Sequence, residues 1–254
     1  MIRHLQAPPA WRRLAFVSDL HLGPDTPNTL AAFERLLGSL QADALFILGD
    51  LFEAWVGDDA LDLAYAQRVA RALMASGRQR PQYFMAGNRD FLVGDTLAQA
   101  GAFQRVDELL TLDAWGDRFL VAHGDAQCLD DAGYQAFRAQ VRQPAWQQAF
   151  LQRPLDERLA QAAQMRDASR QAQAQQQHEG LPFADPDADL CRQLLNTAGA
   201  RMFIHGHTHR PGCFSLGQGL SRLCLSDWDL DHGGAARAEC LYLGPEGIQR
   251  DALM

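Results

Sequence analysis

The chain is predicted to fold as an α/β protein around a mostly parallel sheet, and three observations predict it. Residues 14–18, 44–48 and 82–86 are short apolar runs with the length of buried strands. Segments with apolar residues at helical spacing separate them, so the order reads strand, helix, strand, helix, strand. Each of these runs, and two later ones, stops at an Asp, Asn or His, as where an open sheet gathers polar side chains at the carboxyl ends of its strands.

Taken in order, the run 14–18 is followed by Leu30, Phe33, Leu36, Leu37 and Leu40, one face of a helix over residues 29–40. The strand 44–48 leads to a helical pattern over 61–74 with Gly77 as its stop. After the strand 82–86, residues 109–113 and 118–122 flank Ala-Trp-Gly-Asp and read as a hairpin entering His123. From about 130 to 180 strand signals fade, while Tyr134, Phe137, Val141, Trp146, Phe150, Leu151, Leu155 and Leu159 follow at near-helical intervals, a helical insertion. Its centre, 160–177, is rich in Ala and Gln, a composition shared by solvated helices and loosely ordered segments. Strand character returns at 201–204, in a hairpin of 213–216 with 222–225, and in a last strand over 238–243.

Bulk properties narrow the class of function. The 254 residues, 47% hydrophobic and 21% charged, suffice for a full core. No run approaches the eighteen or so apolar residues of a membrane span. Arg3, Arg12 and Arg13 enclose no apolar stretch of the kind a signal peptide needs, so a cytoplasmic location is expected. Five cysteines without a Cys-x-x-Cys spacing fit reduced, mostly buried thiols. A net charge of −8 argues against general attraction to nucleic acid. All 23 basic residues are arginine, which excludes lysine Schiff-base chemistry.

The chemistry lies in five blocks: Asp19-Leu20-His21, Gly49-Asp50, Gly87-Asn88-Arg89-Asp90, His123-Gly124-Asp125 and His205-Gly206-His207-Thr208-His209. Any one block reads equally well as a turn, a cap or a hydrogen-bonded core histidine. The ordered set at strand ends points to a two-metal phosphoesterase site. Asp and His with an Asn carbonyl suit Mn²⁺, Fe²⁺, Zn²⁺ or Mg²⁺. Two dications need a bridging carboxylate, for which Asp50 is the candidate. Such a pair activates water at neutral pH and neutralises charge developing on a phosphoryl group. Arg89, beside Asn88, offers a planar fork to phosphate oxygens; the plainer alternative is a surface ion pair. Asp90 and Asp125 are expected to orient ligand imidazoles or, equally, to cap or turn the chain, and His205 to be structural.

These blocks resemble the calcineurin-like metallophosphoesterase superfamily over the frame from Asp19 to His209. Stretches around Glu53-Ala54-Trp55 and Asp131-Ala132-Gly133-Tyr134-Gln135 are similar to one family within it, the UDP-2,3-diacylglucosamine diphosphatases of lipid A biosynthesis. The resemblance implies an αββα sandwich formed by a single domain, 1–254, with a helical lid inserted over 126–198. It implies two Mn²⁺, one held by Asp19, His21, Asp50 and His209, the other by Asp50, Asn88, His123 and His207. It implies that Asn88, Arg89 and His123 are catalytic, and that water attacks the α-phosphorus of UDP-2,3-diacylglucosamine to give UMP and 2,3-diacylglucosamine 1-phosphate.

Substrate contacts carried over by the resemblance are Asn88, Arg89, Asp131, Arg166, Ser169, His207 and, where the family pattern has an asparagine, Gln173. The family's lid lysine is absent, and Arg170 is the candidate replacement. A monomer at the cytoplasmic face of the inner membrane is expected, peripherally bound. Trp146, Phe150, Leu151, Leu155 and Leu159 would line an acyl groove and Arg142, Arg153 and Arg158 would face headgroups; the alternative is ordinary packing between helices.

Overall fold

The computed structural model describes residues 2–178 and 184–253, with the side chains of 172–174, 176 and 177 left aside. Its strands are β1 (Arg3–Gln6), β2 (Leu14–Val17), β3 (Ala44–Leu48), β4 (Gln82–Met85), β5 (Gln104–Val106), β6 (Leu109–Ala114), β7 (Asp117–Ala122), β8 (Met202–His205), β9 (Gly212–Gly217), β10 (Leu220–Cys224), β11 (Glu239–Gly244) and β12 (Gly247–Ala252). The helices are α1 (Pro27–Ser39), α2 (Ala64–Gly77), α3 (Asp95–Ala100), α4 (Ala132–Val141), α5 (Pro144–Leu151), α6 (Leu155–His178) and α7 (Ala188–Ala198).

The strands form two six-stranded sheets rather than one, ordered β1-β6-β7-β8-β10-β9 and β12-β11-β2-β3-β4-β5. Pairing from β2 through β5 is parallel, as the alternating strand and helix pattern predicts, and β11 and β12 close that sheet antiparallel. The reason for two layers is visible along β2 and β3, whose residues are all buried. Ala15, Val17, Leu45 and Ile47 face a core shared with α1 and α2. Their neighbours Leu14, Phe16, Phe46 and Leu48 face a second core shared with the other sheet. Helix α7 packs on β8 and β10. The order helix, sheet, sheet, helix is the expected αββα sandwich.

Some elements lacked a sequence signal. β1 and β12 are largely exposed edge strands, and their sequences Arg-His-Leu-Gln and Gly-Ile-Gln-Arg-Asp-Ala have no apolar run, so the strand over 238–243 is not the last. α7 is defined by its ends: the Asp187 side chain accepts from Leu190 N, and Gly199 closes the helix at φ 66°. The Ala/Gln-rich stretch is helical through His178.

Helices α4 to α6 lie over the ends of the strands. Phe150 is buried, and Trp146, Leu155 and Leu159 pack beside it against the core that holds α1 and α2. Trp146 stacks on Phe150 at 4.9 Å, so these residues fill space between helices, with Leu151 left 42% exposed. Arg158 does not face headgroups. It is 2% exposed and donates to the carbonyl of Val56 and the carboxylate of Asp59. Arg142 also turns inward, donating to the Gly87 carbonyl at 2.9 Å and pairing with Glu108 at 2.7 Å. Of the three arginines only Arg153 is exposed. Among the described residues no helix is long and apolar enough to cross a membrane.

Candidate metal centre

The seven predicted ligands come from the ends of β2, β3, β4, β7 and β8, and the fold brings them to one edge. Among the described residues eight non-glycine positions have positive φ, and five are predicted ligands: Asp19 (55°), His21 (51°), Asp50 (52°), His207 (67°) and His209 (53°). Each costs of order 1–3 kcal/mol, a concentration of strain that surrounding packing must hold in place.

The ligand-bearing turns approach so closely that side chains are excluded between them. A Cβ on Gly87 would strike the Asp50 carboxylate, and one on Gly206 would strike Ser18 and Asp19. The turns are tied together by hydrogen bonds. Asp90 accepts from Gly87 N and Leu51 N, both at 2.8 Å; Asp50 accepts from Arg89 N at 2.9 Å; Asp19 accepts from His207 N at 2.9 Å and from Ser18 Oγ at 2.5 Å.

Within this frame two groups of donor atoms form. Asp19, His21 and His209 converge, as do Asp19, Asp50 and His123, with ligand atoms in each trio within 4.8 Å of one another. Asn88 Oδ1 lies 2.9 Å from both His123 Nε2 and His207 Nδ1. His123 Nδ1 is 2.7 Å from the Leu48 carbonyl, so it donates there and the Nε2 lone pair faces Asn88 when the ring is neutral. On the other side His21 Nε2 and His209 Nε2 face each other at 3.3 Å. Lone pairs this close need a proton or a cation between them. Buried Asp19 Oδ1 and His21 Nδ1 make no hydrogen bond, which also leaves coordinating capacity unused.

Electrostatics agree with a cation site. Burial raises the Asp50 carboxyl against the pull of His123 and Arg89. Burial would lower His123, but Asp50, Asp19 and Asp125 outweigh it and push the ring up to about 9. Burial would likewise lower His209, yet Asp19 and Asp227 raise it. His21 is held well below its ordinary value by burial and then by Arg89, and His207 falls to about 4 through burial and His123. The buried carboxylates thus draw positive charge inward, and the donor set suits a divalent cation.

Other expectations fare differently. Neither Asp90 nor Asp125 hydrogen-bonds a ligand imidazole. Asp90 ties two turns together, and Asp125 accepts from Tyr134 Oη at 2.5 Å and Arg138 Nε at 2.8 Å, which fastens α4. His205 is fully buried, donates from Nδ1 to the Gly206 carbonyl, and burial lowers it to about 3, a structural role. Asp131 caps α4, accepting from Tyr134 N at 2.9 Å. Ser169 is exposed on α6. Arg166 reaches the turn after β3, where it meets Glu53. The Gln173 side chain lies outside the described residues.

Two participants were missed. Asp227, just after β10, lies 3.6 Å from His209 Nδ1; its signal was another carboxylate at a strand end. Glu53 meets Arg89, Arg166 and Arg170; its one signal was its place in the family-specific stretch Glu53-Ala54-Trp55, which gave it no role.

The family model described as calcineurin-like phosphoesterase matches residues 12–211. The chain belongs to the calcineurin-like phosphoesterases. It is a metal-dependent hydrolase with an Asp/His cluster that binds divalent metal. Among curated proteins it is 43% identical over 242 residues to a UDP-2,3-diacylglucosamine hydrolase of Chromobacterium violaceum, covering 92% of this chain and 96% of that one. It is 40% identical over 248 residues to the protein of that name from Bordetella pertussis, covering 95% and 93%. The Xanthomonas axonopodis protein of that name is 42% identical over 234 residues, covering 88% and 94%.

Proposed function

We propose that this phosphoesterase hydrolyses the diphosphate of UDP-2,3-diacylglucosamine in lipid A biosynthesis. The observation that carries this reading is the near full-length identity of 40–43% to relatives bearing that name. Water attacks the α-phosphorus, the bond from that phosphorus to the bridging oxygen breaks, and the products are UMP and 2,3-diacylglucosamine 1-phosphate. The leaving group is itself a stable phosphate, so a strong general acid is unnecessary.

Asp19, His21, Asp50 and His209 would hold one Mn²⁺, and Asp50, Asn88, His123 and His207 the other. When bound, such a pair would supply a nucleophile at neutral pH and charge neutralisation at phosphorus. The protein supplies geometry. Asn88 Oδ1 converges with His123 Nε2 and His207 Nδ1 within 2.9 Å of each, as co-ligands of one ion would. Arg89 stands between Asp50 at 3.5 Å and Glu53, and its remaining N–H groups would serve the oxygens of a diphosphate.

The helical segment 126–198 would act as a lid that binds the rest of the substrate, with Asp131, Arg166, Ser169 and Gln173 as its polar contacts and Arg170 in place of a lysine. The protein would work as a monomer bound peripherally to the inner membrane; Leu151 is exposed two residues before the exposed Arg153, the pairing such a contact would use.

UMP release from UDP-2,3-diacylglucosamine, compared with release from UDP-N-acetylglucosamine at equal concentration and with Mn²⁺ present, tests the assignment. Strong preference for the acylated substrate is expected, and equal rates would refute it. Flotation with anionic vesicles tests the membrane reading, which fails if the protein stays at the bottom of the gradient.

A further inference from the structure

Three guanidiniums from two distant segments meet on one carboxylate. Glu53 Oε2 pairs with Arg89 from the turn after β4, while Oε1 pairs with Arg166 and, at 3.0 Å, with Arg170, both on α6. The Glu53 side chain is 15% exposed, and its backbone is fixed: Glu53 N donates to the Leu22 carbonyl at 3.0 Å, and Trp55 N donates to the Arg89 carbonyl at 2.9 Å. The same Oε2 lies 3.6 Å from His21 Nδ1.

Glu53 is the carboxylate all three share. Arg89 has a second partner in Asp50 at 3.5 Å and Arg170 a remote one in Asp167 at 3.8 Å, while among the ion pairs of the described residues Arg166 meets only Glu53, with Asp25, Asp167 and Asp50 acting on it through space. Each guanidinium carries five N–H donors, far more than one carboxylate accepts. Arg166 Nε is buried without a partner, and burial together with Arg170 lowers that guanidinium to about 10. The unpartnered Arg166 Nε and the surplus of N–H donors leave this cluster with capacity to receive a further anion.

We propose that Glu53 is a positioning residue for anion recognition: it gathers Arg89, Arg166 and Arg170 into one cradle for a diphosphate and so couples the metal edge to α6. This rests on the reading that the site takes a diphosphate substrate. Without Glu53 the three like charges repel and the α6 arginines swing away from Arg89. The arrangement makes recognition depend on both segments at once.

Calorimetric titration of the Mn²⁺-loaded full chain with methylenediphosphonate, whose P–C–P linkage resists hydrolysis, tests this. Glu53→Gln should raise Kd about tenfold, while Glu53→Asp, which keeps the charge, should raise it less than threefold. Arg170→Ala should weaken binding in the natural chain and have little effect when Glu53→Gln is already present, a coupling that loss of stability alone would not produce. Unchanged or tighter binding by Glu53→Gln, or losses that simply multiply in the double variant, would overturn the proposal. If Glu53→Gln unfolds, Glu53→Ser, which also removes the carboxylate, gives the same comparison with and without Arg170→Ala. Failure of the function reading appears elsewhere, as no UMP released by the unaltered chain even though methylenediphosphonate binds.

Discussion

At the metal edge, five ligand candidates hold positive φ, three glycines (Gly49, Gly87 and Gly206) have no room for a Cβ, and the carboxylates are buried. Above it, α6 runs as 24 residues of regular helix, many exposed, built from Ala, Gln and other good helix formers. The first region stores strain for a fixed geometry; the second is locally relaxed, and its hold on the rest of the molecule comes from a few side chains. A change at the edge should therefore damage chemistry, and a change on α6 should alter recognition.

The sharpest test removes the proposed bridging group. Asp50→Ala should lower kcat on the order of 10³-fold, since a group worth about 4 kcal/mol at the transition state corresponds to that factor. Chelation of the unaltered chain should abolish activity, with recovery on adding Mn²⁺ and a higher thermal midpoint in the reloaded protein. An Asp50 variant with ordinary kcat would break the comparison at its centre.

Next comes Gly87→Ala, expected to destabilise by about 3 kcal/mol because the new methyl meets the Asp50 carboxylate. Denaturant unfolding measures it, and a loss below 1 kcal/mol would show that the turns yield. Arg158→Ala should cost about 2 kcal/mol by leaving the Val56 carbonyl without its donor, and hydrogen exchange should quicken in α5 and α6 before the sheets. Uniform quickening would mean that the helices and sheets open as one unit. Smallest is Ser169→Ala, with stability unchanged within ~0.5 kcal/mol and KM for the acylated substrate raised roughly fivefold, as for one lost hydrogen bond. An effect on kcat instead would move Ser169 from recognition to chemistry.

The sequence made the central strands legible because β2, β3 and β4 are buried and spell continuous apolar runs. It made the candidate ligands legible because metal chemistry restricts residue type. It was silent about β1 and β12, whose edge positions place no demand on hydrophobicity. It misjudged Arg142 and Arg158: arginines on an amphipathic stretch read as surface cations, yet both are drawn inward by carbonyls on turns far away in the chain. Glu53 was hidden for a related reason, since its partners Arg89, Arg166 and Arg170 lie 36, 113 and 117 residues downstream. The positive φ angles were invisible because Asp and His are compatible with many backbone conformations.

The buried Arg158 also sets how α6 can move. It fastens the helix near its beginning, leaving an arm of about 30 Å to His178 at 1.5 Å per residue. A tilt of about 10° at that pin would carry the far end roughly 5 Å but Arg166, about 12 Å along, only ~2 Å. The helix is a lever with its guanidinium near the fulcrum. Its tip would then travel more than twice as far as the charge beside Glu53.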